Sequence, residues 1–206
     1  MASLSESVGR PTVPQKRPQA VPAAADADAL QPARPRYEQL AFDPLVIAAS
    51  GALVIVDLFL FGLGARGVAG AVLLPALVVL SAIDVRHRVL PNRIVLPATG
   101  LVLVSQVALA SDHGKVAALA SVAAGAAFFL LRAVYPQGLG MGDVKLALLL
   151  GAALGKSVLF GLFVGSVAAA VAGIVVIARE GAAGRKSTLP FGPFLAAGAA
   201  VAFFLR

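Results

Sequence analysis

Two carboxylates stand at the ends of apolar runs, Asp84 in SAIDVRHRVLPN (residues 81–92) and Asp143 in GLGMGDVKL (residues 138–146). Ionising a carboxylate beside hydrocarbon is costly, so such a residue points to function by default. If the two meet within a few ångströms, like-charge repulsion and desolvation stop both from ionising, and the pair carries one proton. The ionised member can then take a proton from water as that water attacks a peptide carbonyl. The protonated member hydrogen-bonds the carbonyl oxygen and later serves the leaving amine. This chemistry requires no metal and no other cofactor.

Other chemistries fit less well. Gly138, Gly140 and Gly142 lack Cβ atoms and suit a loop that receives an extended peptide. They match neither the G-x-G-x-x-G dinucleotide pattern nor a phosphate loop ending in Gly-Lys-Ser/Thr. His87 and His113 lack the His-Glu-x-x-His spacing of a zinc protease, and no serine nucleophile segment accompanies them. With no cysteine there is no disulfide framework, no Cys-ligated zinc and no thiol nucleophile.

The elements that must position the carboxylates belong in a membrane. Hydrophobic residues make up 59% of the chain and charged residues 13%, against roughly 45–50% and about 25% in soluble domains. The net charge of +7 is spread between apolar runs and not gathered on one face, which argues for the lipid bilayer and against nucleic acid as partner. Seven apolar spans are predicted, at 44–63, 67–85, 92–111, 115–134, 142–155, 157–178 and 189–205, giving an all-α polytopic membrane helical bundle. The fifth is short, about 20 Å as a helix, which puts Asp143 at the membrane edge or thins the bilayer locally.

Residues 1–43, rich in Pro, Ala and charge, read as a disordered cytoplasmic tail. The span at 44–63 is an extra amino-terminal transmembrane helix retained as an anchor, and residues 67–206 form a six-helix core. With the amino terminus inside, only Arg66, Lys115, Lys156 and Arg206 of the 17 Lys and Arg residues fall outside, and the carboxyl terminus lies outside. Asp84 then closes the second span, and Asp143 opens the fifth, on the same cytoplasmic side. Purely structural roles also exist for each, an i, i+4 surface pair with Arg88 for Asp84 and a helix amino-terminal charge for Asp143. Asp57, inside the first span, reads as a polar contact between helices. Gly151-x-x-x-Gly155 and Gly161-x-x-x-Gly165 have the spacing that lets helix backbones approach closely. Pro91 and Asn92 mark the turn after Asp84, and Pro190, Gly192 and Pro193 break the start of the last span.

SAIDVRHRVLPN, the Gly140-Met141-Gly142-Asp143 motif and LPFGPFLAAG (residues 189–198) together resemble the type IV prepilin leader peptidases, a family of GxGD membrane aspartyl proteases. The resemblance covers roughly residues 67–206. It implies that Asp84 and Asp143 are the catalytic pair, and that the substrate is the basic leader of a prepilin or pilin-like protein in type IV pilus assembly or protein secretion. Cleavage would occur at the cytoplasmic face of the inner membrane. Gly140, Gly142, Lys145, Pro91, Asn92, Pro190, Gly192 and Pro193 would bind substrate or shape the site. Many bacterial relatives carry a cytoplasmic insert with four cysteines, associated with methylation of the new amino terminus from S-adenosylmethionine. This chain has no cysteine and only a short link near residues 63–67, so it looks like the peptidase-only form, and methyltransferase activity is not expected. Two other readings use the same residues: a proton-coupled carrier, and an inactive pilin-assembly factor that binds without cutting.

Overall fold

The computed structural model describes residues 40–136, 138–181 and 189–206. The tail expected over residues 1–43 therefore lies outside the described residues as far as position 39, as do Arg185 and Lys186. The described chain is all-helical: α1 Pro44–Phe61, α2 Ala65–His87, α3 Asn92–Leu109, α4 Ser111–Val134, α5 Met141–Leu154, α6 Val158–Glu180 and α7 Gly192–Leu205, with a 3₁₀ turn at Gly155–Ser157. Each of the seven predicted spans corresponds to one of these helices.

By length and composition, five stretches could each cross a membrane: Pro44–Phe61, Ala65–His87, Asn92–Leu109, Asp112–Val134 and Met141–Glu180. The last is 40 residues long because α5, the 3₁₀ turn that carries Lys156 and Ser157, and α6 follow one another directly. What separates α5 from α6 is backbone geometry. Gly155 has φ +54°, a left-handed value that a side chain would strain, and it ends α5. α7 is also apolar but has only 14 residues.

The helix ends follow local chemistry. The Asp43 carboxylate accepts the Leu45 N–H at 3.0 Å, and Pro44 occupies the first turn, where its missing N–H costs nothing. α2 stops where Arg88 enters the left-handed region at φ 53° and Pro91 follows three residues later in extended conformation. At α5 the Asp143 carboxylate accepts the Gly140 N–H at 3.1 Å while the Asp143 N–H donates back to the Gly140 carbonyl at 3.2 Å.

α5 is the buried helix of the bundle. Leu146, Ala147, Leu149, Leu150, Ala152, Ala153 and Leu154 are all shielded, by α2, α3, α4, α6 and α7. Lipid tails are as apolar as these side chains, so close packing must hold the helices together. Small residues provide it: a methyl group at Gly151 would collide with the Ala120 carbonyl of α4, and one at Gly198 of α7 would collide with Gly161 and Gly165 of α6. Gly151, Gly161 and Gly165 thus contribute to packing within the bundle, whereas Gly155 serves the turn through its backbone conformation.

α1 is the opposite case. Asp57 is its single buried residue, fully shielded against Gly70 of α2, and both its carboxylate oxygens lack hydrogen-bond partners among the described residues. The Arg66 guanidinium is the charge that acts on it. Arg66 also lies over the Phe61 ring at 3.8 Å and donates to the Phe203 carbonyl at 2.6 Å.

Candidate active site

α2 delivers Asp84 one turn before its end, and α5 delivers Asp143 in its first turn. The two side chains line one cavity of about 410 Å³, together with Arg88, Asn92, Gly140 and Lys145. They are close enough for the Asp84 charge to act on Asp143. Residues 59 positions apart in the chain thus face one space because α3 and α4 form a complete excursion between them.

Each carboxylate is held by a backbone donor. The Gly192 N–H, at the start of α7, donates to Asp84 Oδ2 at 2.9 Å. A first-turn N–H has no partner within its own helix, so the bond satisfies a donor that would otherwise be orphaned. A Cβ on residue 192 would sit 2.7 Å from that same oxygen, so any other residue there would displace the carboxylate. Asp143 is held by Gly140, as described above. Asp84 is buried, at 7% exposed, and the Arg88 charge acts on it from the cavity wall.

The remaining candidates divide. Lys145 Nζ donates to Asn92 Oδ1 at 2.6 Å and joins the start of α5 to the start of α3 across the cavity rim. Pro91 lines the cavity and precedes the first turn of α3. Gly142 also lines it, and its missing side chain admits Leu90, whose Cβ would lie 2.8 Å from a Cβ at that position. Pro190 and Pro193 do not line the cavity. Pro193 occupies the first turn of α7 and so fixes the helix start that presents Gly192. Arg88, Val89, Leu90 and Met141 line the cavity without having been expected as site residues. A motif offset could have suggested Met141, but the left-handed turn that aims Arg88 has no sequence signature. A second cavity of about 420 Å³, at the other end of α5 between Gln106, His113, Lys156 and Arg206, contains none of the predicted site residues.

The sequence profile of the type IV leader peptidase family matches residues 71–174, the stretch that carries both carboxylates. The chain belongs to this family. It is 33% identical over 167 residues to a prepilin leader peptidase/N-methyltransferase of Xanthomonas campestris pv. campestris, covering 78% of this chain and 58% of the relative. A protein of the same description from Burkholderia pseudomallei is 38% identical over 174 residues, covering 78% and 54%. One from Klebsiella pneumoniae is 35% identical over 133 residues, covering 61% and 54%. The chain thus spans about half the length of the curated relatives it matches. No solved structure matches it. Family membership and several apolar helices make this an integral membrane protein.

Proposed function

We infer that this family member is an aspartic endopeptidase that removes the basic leader from a prepilin or pilin-like protein at the cytoplasmic face of the inner membrane. The observation that carries the reading is the shared cavity of Asp84 and Asp143. Two carboxylates on one small space cannot both ionise cheaply, so they hold one proton between them. The ionised carboxylate takes a proton from water as the water oxygen bonds to the scissile carbonyl carbon. The protonated carboxyl hydrogen-bonds the carbonyl oxygen, which gains the electron pair. Collapse of the tetrahedral species breaks the C–N bond, and a proton passes to the departing amine.

Gly140 and Gly142 line the cavity, Lys145, Asn92 and Pro91 shape its rim, and Pro190 and Pro193 bracket the helix start that presents Gly192 to Asp84. Residues 67–206 are the peptidase core, α1 is an added anchor, and the amino terminus faces the cytoplasm. Methyl transfer is not part of the reaction, since the link between α1 and α2 is only Gly62–Gly64 and no cysteine is present. The carrier reading has less support, because both carboxylates sit at helix ends on one cavity and not at the middle of a pathway.

The test is co-expression with a pilin-like protein from the same genome and mass spectrometry of that protein's amino terminus. Loss of the leader, dependent on this chain, is expected. An unprocessed pilin that still co-purifies with the chain would favour the inactive assembly factor.

A further inference from the structure

α7 is fixed at both ends by the same helix. At its start the Gly192 N–H donates to Asp84, in the last turn of α2. At its end the Phe203 carbonyl accepts from Arg66 Nη2 at 2.6 Å, and Arg66 is the second residue of α2. Phe203 lies in the last turn of α7, where carbonyls have no partner within the helix, so Arg66 acts as a side-chain cap. A cation at a helix carboxyl end is also favoured by the helix dipole.

The guanidinium has little freedom. It is stacked on Phe61 at 3.8 Å and lies 5.5 Å from the Phe203 ring centre. Phe204 packs against both of these rings, and the three centroids lie 5.6–6.2 Å apart. The charge of the fully buried Asp57 in α1 acts on the guanidinium, without a hydrogen bond between the two. Nor can α7 absorb a displacement by sliding unnoticed, since Gly198 is pressed against the Gly161 and Gly165 backbone of α6. A helix of this kind transmits an axial shift from one end to the other, about 16 Å away at 1.5 Å per residue.

We propose that Arg66 is a positioning residue for Asp84: by capping the end of α7 it acts with the Gly198 contact on α6 to hold the axial register that puts the Gly192 N–H on the Asp84 carboxylate. The proposal rests on the reading of Asp84 as half of the catalytic pair, but the register itself is measurable without turnover. It also gives the added helix a role in the reaction, since α1 contributes both the Asp57 charge and the Phe61 surface.

The test uses the full chain in uncharged detergent with Arg66→Gln and Arg66→Lys. Amide exchange is followed in a peptide spanning residues 189–195, and cleavage is assayed on the pilin-like protein that the wild type cuts. Arg66→Gln is expected to speed Gly192 exchange and to lower kcat about 10-fold with KM nearly unchanged, the size of effect that a small misplacement of a reacting group produces. Arg66→Lys, which keeps a cationic donor, is expected to restore most of both. In a Gly192→Ala background, where the bond to Asp84 is already disturbed, Arg66→Gln should have little further effect on kcat. Unchanged exchange at 189–195 in Arg66→Gln would overturn the proposal, as would equal losses of kcat in the two backgrounds. If Arg66→Gln does not fold, Asp57→Asn takes its place with the same two readouts. A wild type that cuts no pilin would sink the peptidase reading alone, while the exchange measurement would still decide the register.

Discussion

The Gly192 N–H and Asp84 Oδ2 lie 2.9 Å apart, although 108 residues separate them in the chain. This bond makes the beginning of α7 part of the carboxylate's environment. Gly192→Ala should lower turnover about 10–100-fold, because a methyl group there would sit 2.7 Å from the oxygen and displace the carboxylate. Circular dichroism and membrane abundance should be unchanged. Wild-type turnover in this variant would show that the bond has no part in catalysis.

Asp84→Asn and Asp143→Asn keep side-chain shape but remove the shared proton. Each is expected to cut leader removal by about 10²–10⁴-fold, the range for losing a positioned acid or base. Cleaved and uncleaved pilin can be compared by gel at matched enzyme levels. Processing by either variant at the wild-type rate would remove that residue from the mechanism.

Lys145 and Asn92 meet on the rim through one bond of 2.6 Å, exposed to solvent. Solvent weakens such a contact, so Lys145→Met and Asn92→Ala should each slow cleavage only a few-fold. Combined, they should do little more than either alone, with a coupling of about 0.5–1.5 kcal/mol. Strict additivity in a double-mutant cycle would mean that the two residues act separately.

Supplying S-adenosylmethionine to the purified protein with its pilin should leave the new amino terminus unmethylated. The short link Gly62–Gly64 has no room for the insert associated with that activity. A gain of one methyl mass that depends on this protein would place methyl transfer in the helical core.

Removing residues 1–36 should leave cleavage close to the wild-type rate. All the residues lining the candidate site lie between Asp84 and Asp143–Lys145, with Gly192 added from α7. Turnover of purified truncated protein decides the matter, and its loss with retained folding would give the tail a place in substrate binding.

The helices were legible in the sequence because hydrocarbon imposes one rule on every residue of a span, so that apolar runs and their Gly and Pro breaks mark the ends. The break at Gly155 was visible for that reason even though α5 and α6 form one apolar stretch. The candidate pair was legible too, since Asp84 and Asp143 are costly residues at matching helix ends. Less accessible were the contacts that hold them. Gly192 on Asp84 and Lys145 on Asn92 are made across the bundle by donors of ordinary kinds, and no local periodicity encodes which helix end will face which. Asp57 was readable as a contact between helices, but its relation to Arg66 and the end of α7 depends on how three helices pack.

Asp57 and the residues that cover it are made at opposite ends of synthesis. α1 is the first described helix to leave the ribosome and α7 the last, yet Phe203 of α7 closes the pocket around Arg66 and Gly70. Until then a carboxylate in the first span faces lipid or its hairpin partner, at a cost below that of an uncovered charge at a helix centre, about 2.5–3.5 kcal/mol, since Asp57 lies in the last third of α1. Insertion of α1 is therefore expected to be provisional while the chain grows and to become permanent only on completion. Crosslinking from position 57 to lipid in nascent chains should persist when the chain stops before residue 192 and vanish in the full chain.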